Sequence, residues 1–268
     1  MRTFAEVGPR ESADAASQTP FLSIANLSKA YAAGQPVLHE LSLTAKAGEF
    51  VSLLGVSGCG KSTLLKIIAG LSPLSSGSVR IAGMNPEAAR EMMSFVFQDP
   101  ALLPWRTVAR NVELALEFEG LSRPLRAGRV DSVLRLVGLG AVGRYYPRQL
   151  SGGMKMRVSL ARALATTPRL LLMDEPFAAL DAMLRNRLNE ELLALKEQQR
   201  WTTLFVTHSI AEAVFLSDRI ILMGANPGRV CEDIAIELPA ARTAGLRSEP
   251  AFLHLVGQVG KRLAAIRA

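Results

Sequence analysis

Residues 55–62 constrain the fold of this chain more than any other stretch, because they read Gly-Val-Ser-Gly-Cys-Gly-Lys-Ser. They follow an apolar segment, Phe50–Leu54, and lead into Lys61–Ala69, where apolar residues recur at helical spacing. In this context the pattern Gly-x4-Gly-Lys-Ser predicts a loop whose N–H groups point at phosphate oxygens, next to the positive end of a helix. The sequence therefore predicts a strand, a phosphate-binding loop and a helix, in that order.

A second motif completes the chemistry that this loop begins. Four apolar residues, Leu170–Met173, predict a strand buried on both faces, and Asp174 and Glu175 follow at its carboxyl end. Asp174 is placed to hold Mg²⁺ through water, and Glu175 to orient or deprotonate an attacking water. An acidic pair after a strand can also be a solvated turn, but the upstream loop favours the catalytic interpretation, in which Lys61 contacts the β- and γ-phosphates and Ser62 gives its hydroxyl to Mg²⁺.

The order of strand and helix patterns predicts the fold class. Strands alternate with helices at both ends of the chain, whereas the middle stretch, beginning with Val108–Val137, has a helical pattern. We expect an α/β fold, a P-loop NTPase (RecA-like) core with an antiparallel β subdomain and an inserted α-helical subdomain. The expected divisions are a disordered tail over 1–20, an ATPase domain over 21–240 with the helical insertion at about 100–165, and a helical C-terminal extension over 241–268.

Composition narrows the class of partner. The net charge is +7, but the charges are scattered and form no dense Lys/Arg block, so we expect no nucleic-acid partner. The two cysteines, Cys59 and Cys231, are far apart and predict neither a disulfide framework nor a metal cluster, which fits a reducing cytosol. No secretory signal and no apolar run of the roughly 20 residues that cross a bilayer is evident. We therefore expect a soluble chain that reaches a membrane by docking to another protein.

One further motif carries a specific resemblance. Residues 150–154 read Leu-Ser-Gly-Gly-Met before a predicted helix, and with the two motifs above the chain resembles the ATPase subunit of ATP-binding cassette (ABC) transporters over about 21–236. In that family this stretch meets the γ-phosphate bound by a second subunit, so that two ATP molecules lie in a head-to-tail dimer. Without the other motifs, Ser-Gly-Gly before a helix is equally well an ordinary N-cap.

The resemblance implies a role for each matching residue. Tyr31 stacks on adenine, Gln98 touches Mg²⁺ and the attacking water, Asp181 belongs to the loop that crosses the dimer interface, and His208 contacts the γ-phosphate. The implied catalytic residues are Lys61, Gln98, Glu175 and His208, and the implied Mg²⁺ ligands are Ser62, Gln98 and Asp174. The implied ATP-contacting residues are Tyr31, Gly55, Ser57, Gly58, Cys59, Gly60, Lys61, Ser62, Thr63, Ser151, Gly152, Gly153 and Asp181.

Two positions depart from the family pattern. Met154 stands where many members have glutamine, and Ala179 stands where many have serine. Neither change removes a phosphate ligand, but Ala179 lacks a hydroxyl that could bond across the dimer interface.

A narrower resemblance suggests the kind of transporter. Residues 99–108, which include Leu102, Leu103 and Trp105, and the late stretch 227–230 resemble the ATPases of bacterial importers for nitrate, aliphatic sulfonates or taurine. The implied partners are a second copy of the same or a related ATPase, integral membrane permease subunits and, indirectly, a solute-binding protein, at the cytoplasmic face of the inner membrane. Residues 102–105 could line a groove for a permease helix, or they could be ordinary packing of the helical subdomain.

Two other functions stay open on the sequence. Some proteins with this cassette act on nucleic acid or ribosomes, but these usually have two cassettes or long inserted arms, and this chain has neither. A nucleotide-sensing module without hydrolysis would need a defect at Glu175 or His208, and both residues are present.

Overall fold

Nine β-strands form two sheets in the computed structural model, which describes residues 19–31, 34–239 and 242–267. The strands are β1 (Leu22–Ala30), β2 (Pro36–Ala45), β3 (Phe50–Gly55), β4 (Ser76–Ile81), β5 (Met93–Val96), β6 (Leu170–Asp174), β7 (Thr202–Val206), β8 (Arg219–Gly224) and β9 (Arg229–Ala235). The larger sheet has the order β5-β6-β7-β3-β8-β9 and is parallel except for β9, which pairs antiparallel with β8. The smaller sheet, β2-β1-β4, is antiparallel.

Helices cover both faces of the larger sheet. They are α1 (Lys61–Ile68), α2 (Val108–Glu113), α3 (Arg123–Leu136), α4 (Gly152–Ala165), α5 (Ala182–Gln199), α6 (Ile210–Leu216) and α7 (Pro250–Arg267). Helices α2, α3 and α4 follow one another between β5 and β6 and pack together. The predicted fold class, including the antiparallel β subdomain and the helical insertion, is therefore confirmed.

Side chains alternate between two apolar cores along the central strands. In β6, Leu170 and Leu172 join a core that α1 shares with both sheets, whereas Leu171 and Met173 join a core formed with helices α4 to α7. All four side chains are fully buried. This arrangement explains why β6 is a continuous apolar run rather than an alternating pattern.

The structure refines the sequence analysis at one place and corrects it at another. The helical pattern over Val108–Val137 divides into two helices, because α2 ends at Glu113 and α3 begins at Arg123. Gly120 between them has φ +66°, which a helix cannot include, and Pro124 lies in the first turn of α3. Strand β9 was not predicted, since it is an edge strand in which only Ile234 is buried.

Some predictions have no test in the structure. Residues 1–18 of the predicted tail lie outside the described residues, and the proposed domain boundaries stay a prediction. Within the described ranges, no helix is both long and apolar enough to cross a membrane.

Candidate functional site

The phosphate loop joins β3 to α1 at the carboxyl end of the parallel sheet. Gly58 and Gly60 have φ of +81° and +92°, which strongly favours glycine at both positions. Gly55 approaches the opposite strand so closely that a Cβ there would lie 2.6 Å from the Met223 carbonyl oxygen. The glycines are therefore required by the backbone path, and Cys59 is fully buried beneath it.

Lys61 is buried, with 5% of its surface exposed, and its ammonium group turns back into the loop. The Nζ atom donates to the carbonyl oxygens of Gly55 at 2.9 Å and Val56 at 3.0 Å, and lies 3.6 Å from the sulfur of Cys59. These partners are all uncharged. A buried cation surrounded by neutral groups suits an anion such as a nucleotide phosphate.

Ser62 and Asp174 form a pair of oxygen donors beside the loop. The Ser62 hydroxyl donates to Oδ1 of Asp174 at 2.9 Å, and Asp174 is the last residue of β6. Over the described residues, no group of three or more His, Cys, Asp or Glu side chains is placed to hold a metal ion. The pair nevertheless fits Mg²⁺, which takes one or two protein oxygens and completes its shell with water and substrate phosphates.

Glu175 and His208 meet where the adjacent strands β6 and β7 end. Nε2 of His208 lies 2.6 Å from Oε1 of Glu175. Glu175 has φ +48°, and its N–H donates to the Val206 carbonyl at 3.0 Å, so the turn after β6 is tied to the end of β7. The arrangement presents a carboxylate beside an imidazole at the mouth of the phosphate loop, which suits proton transfer from water.

Four predicted site residues form no side-chain hydrogen bond within the described part of the protein. They are Tyr31, Ser57, Thr63 and Gln98. Tyr31 is 53% exposed, and the Nζ atom of Lys29 lies 4.9 Å from its ring centroid. Gln98 is exposed two residues after β5 ends. Both side chains are accessible to a ligand.

The Ser-Gly-Gly stretch and Asp181 form a second group, at two neighbouring helix N-termini. Ser151 caps α4 by accepting from the Met154 N–H at 3.3 Å, and Asp181 caps α5 by accepting from the Leu184 N–H at 2.9 Å. A Cβ on Gly153 would lie 2.5 Å from Leu184, and one on Gly152 would lie 3.8 Å from Leu180. The two caps therefore pack against each other, and Ser151 and Asp181 are exposed.

The sequence analysis missed two groups that shape the site. The N–H of Gly228 donates to Val37 at 2.9 Å, and a Cβ on Gly228 would collide with the Cys59 carbonyl of the phosphate loop. Arg185 donates to the carbonyls of Phe177 at 3.2 Å and Leu180 at 2.7 Å in the loop after Glu175. Gly228 was named only within the stretch 227–230 and Arg185 not at all, because each shapes the site through contacts that are distant along the chain or directed at the main chain.

Burial shifts the pKa of two charged side chains in the segments that flank the site, Arg162 and Glu212. Arg162 of α4 donates to the carbonyls of Ala101 at 2.9 Å and Pro100 at 2.8 Å, just after Gln98, and its burial lowers the pKa of its guanidinium. Burial raises the pKa of Glu212, four residues after His208, while the hydroxyl of Thr207 and the charge of Arg185 oppose that shift. Arg162 thus holds the segment after Gln98 to α4, the helix that Ser151 caps.

Comparison with known proteins places these features in a family. The profile described as ABC transporter matches residues 38–178. An ABC transporter ATP-binding protein of Methanocaldococcus jannaschii is 45% identical over 205 residues, covering 76% of this chain and 77% of the relative. The taurine import ATP-binding protein TauB of Escherichia coli K12 is 40% identical over 227 residues, covering 83% of this chain and 89% of TauB.

Two solved structures resemble the fold. One is a dimeric post-hydrolysis state of the ATP-binding cassette MJ0796 bound to ADP and Pi, with TM-score 0.72 and 33% identity, covering 81% of this chain and 100% of that one. The other is cbiO1 of Clostridium perfringens, part of the transporter complex cbiONQ, with TM-score 0.77 and 26% identity over 90% of this chain and 99% of that one.

Proposed function

The chain belongs to the ABC transporter family as an ATP-binding and ATP-hydrolysing subunit, and we propose that it drives a bacterial importer of taurine, another sulfonate, nitrate or a similar small solute. The solute class rests on the similarity to TauB and on the stretches 99–108 and 227–230. The catalytic part of the proposal rests on one observation, the 2.6 Å contact of Glu175 with His208 at the mouth of the phosphate loop.

The proposed reaction is attack of water on the γ-phosphorus of ATP, which breaks the bond to ADP. Lys61 and the loop N–H groups hold the phosphates, and Tyr31 stacks on the adenine. Glu175 takes a proton from the water while His208 holds the γ-phosphate. Ser62, Asp174 and Gln98 would hold Mg²⁺, which when bound offsets phosphate charge.

We further propose that two copies close on two ATP molecules, as in the dimeric MJ0796 structure. The exposed helix caps at Ser151 and Asp181 support this, because their N-termini would offer N–H groups to the partner's γ-phosphate. Hydrolysis then removes the phosphate that both copies contact, so the dimer opens.

The permease is proposed to dock beside the segment that follows Gln98. Trp105 and Phe118 are 72% and 87% exposed, and the ion pair of Arg106 with Glu117 at 2.5 Å holds their segments together. A cavity of about 550 Å³ lies beside Phe118. Since Arg162 ties this segment to α4, movement of the docked helix would reach the Ser151 cap. The subunit would then work as a peripheral protein at the cytoplasmic face of the inner membrane.

The first experiment tests the reaction. In Glu175→Gln the amide cannot accept a proton, so we expect ATP binding within about twofold of wild type and a fall in kcat of at least 10²-fold. Glu197→Gln makes the same chemical change at an exposed position on α5 and should leave both values unchanged. Near-normal steady-state hydrolysis by Glu175→Gln would remove Glu175 from the mechanism.

The second experiment tests the partner. Mild-detergent extracts of the native cells should yield a multi-span membrane protein with the tagged chain, and Trp105→Ala should reduce its recovery while basal ATP hydrolysis persists. A co-purifying solute-binding protein could be screened with taurine, other sulfonates and nitrate. Recovery of ribosomes or nucleic acid in place of a membrane protein would contradict the importer.

A further inference from the structure

The loop that carries His208 is anchored to the helix that follows it. The Ser209 N–H donates to Oγ1 of Thr207 at 3.0 Å, and the Glu212 N–H donates to Oγ of Ser209 at 3.3 Å. The side chain of Glu212 returns to the start of the loop, where its Oε2 contacts the hydroxyl of Thr207. His208 therefore lies inside a small closed network of hydrogen bonds.

The carboxyl group at the centre of this network is buried, since Glu212 and Thr207 are each only 4% exposed. Its second oxygen, Oε1, makes no hydrogen bond of good geometry in the described part of the chain, although the amide of the buried Asn189 of α5 is close enough to oppose the rise that burial causes in the pKa of Glu212. A buried carboxyl group is costly for stability, and an apolar side chain would fill the same space at lower cost. The stability of the fold alone therefore does not explain why residue 212 is a glutamate.

Charged groups approach Glu212 from two other elements. Arg185 of α5 holds the main chain of the loop after Glu175 and places a positive charge near the Glu212 carboxyl. Arg247, from the segment before α7, stacks on Phe215 with 3.7 Å between its guanidinium carbon and the ring centroid, and its charge also reaches Glu212. Glu212 thus lies between the loop after β6 and the loop after β7.

The far end of α6 is fixed as well. Arg242 donates to the carbonyls of Phe215 and Ser217, each at 2.9 Å, which caps the negative end of the helix with a positive charge. Phe252 of α7 packs edge-on against Phe215 with ring centroids 6.5 Å apart. These contacts hold the carboxyl end of α6, and the contact of Glu212 with Thr207 holds the loop at its other end.

We propose that Glu212 is a positioning residue of the ATPase, whose buried carboxyl group holds the Thr207 hydroxyl and thereby keeps His208 directed at Glu175. The inference rests on the proposed role of His208. Loss of the contact lets the imidazole turn away from Glu175 while the phosphate loop and Tyr31 stay intact. The rate of the chemical step falls, and binding of ATP does not change.

The test compares kcat, the KM for ATP and thermal unfolding in a set of variants of the full chain. Glu212→Ala and Thr207→Val each remove the contact from one side, and misplacement of a catalytic group by about 1 Å costs on the order of 10²-fold in rate. We expect kcat to fall roughly 10- to 100-fold in both, with KM within about twofold of wild type. The double variant should be no slower than either single variant, because both remove the same interaction.

Two further variants separate positioning from loss of stability. Glu212→Gln keeps an oxygen that can accept from Thr207, so it should restore kcat to within a few-fold of wild type. Ser217→Ala removes a different buried hydrogen bond, at 2.5 Å to Ser52, at the other end of α6. It should lower the unfolding temperature without changing kcat.

The outcomes distinguish this inference from the proposed function. A Glu212→Ala variant with wild-type kcat beside an inactive His208→Ala variant would overturn the positioning role alone. A fall in kcat in Ser217→Ala as large as in Thr207→Val would also overturn it, since destabilisation of α6 would then explain both. Wild-type hydrolysis by His208→Ala would overturn the proposed role of His208 and, with it, this inference.

Discussion

Gly228 offers a sharp test of how the phosphate loop is supported. A Cβ at this position would lie 2.8 Å from the Val37 carbonyl oxygen and 3.0 Å from Cδ2 of Leu38, and it would collide with the Cys59 carbonyl. Two of the three obstacles are main-chain oxygens, which cannot rotate away as a side chain could. Overpacking of this kind costs about 1–3 kcal/mol, so Gly228→Ala should lower the free energy of unfolding by that amount.

The same strain should weaken nucleotide binding. If the loop relieves part of it by moving Cys59 away, ATP must restore the loop on binding, and the Kd for ATP rises by the part that was relieved, up to about 150-fold if nearly all of it is. Fluorescence titration with an ATP analogue and urea unfolding measure the two effects.

Gly143→Ala is the matched control, because its Cβ would meet Leu134 at 3.6 Å and Ala109 at 3.7 Å, which are ordinary contacts. Wild-type ATP affinity and stability in Gly228→Ala would refute the reasoning that this turn supports the loop.

Three further predictions concern stability. Gly128→Ala in α3, where a Cβ would meet nothing within 4 Å, should raise the free energy of unfolding in urea by about 0.5–1 kcal/mol. Leu171→Ala, at a fully buried position of β6, should lower it by about 2–5 kcal/mol in the same assay. Burial raises the pKa of Glu212 in the folded state. Its contribution to the free energy of unfolding is therefore fully present below the ordinary pKa of glutamate and is lost as the pH rises through the raised pKa. Wild-type stability should therefore fall relative to that of Glu212→Gln as pH rises through this window, and parallel curves would contradict the raised pKa.

Elements with a strong local signal were predicted almost to the residue. Helix α1 and strand β6, expected at Lys61–Ala69 and Leu170–Met173, run over Lys61–Ile68 and Leu170–Asp174, because the phosphate-loop motif marks the start of the helix and a run of apolar residues marks the strand. Strand β9 was missed because its apolar residues, Val230 and Ile234, are separated by charged ones that face solvent at the sheet edge. The pairing of β9 with β8 stabilises this strand, and the residues of β9 alone do not predict that pairing.

The candidate site likewise contains residues with a local sequence signal and residues whose contacts depend on the tertiary fold. The loop glycines, Lys61 and the acidic pair could be proposed from the sequence because their chemistry dictates a spacing along the chain. The contacts of Gly228, Arg185 and Glu212 could not, because each acts on a main chain or a loop through the tertiary fold. Glycine is common in turns and glutamate in helices, so only the packing shows which residues Gly228 and Glu212 contact.

Strand register explains why the contact between Glu175 and His208, the proposed catalytic pair, could be predicted only in part. The sequence located the end of β6, and so the position of Glu175 relative to that strand, whereas His208 was named only from the resemblance. Their meeting at 2.6 Å depends on the parallel register in which Asp174 pairs with Val206. A slip of one residue would carry Arg169 or Asp174 into a position that is fully buried between the two apolar cores, because Leu170–Met173 are all fully buried. The polar residues at the two ends of this apolar run therefore favour the observed register, and the register brings the carboxylate to the imidazole.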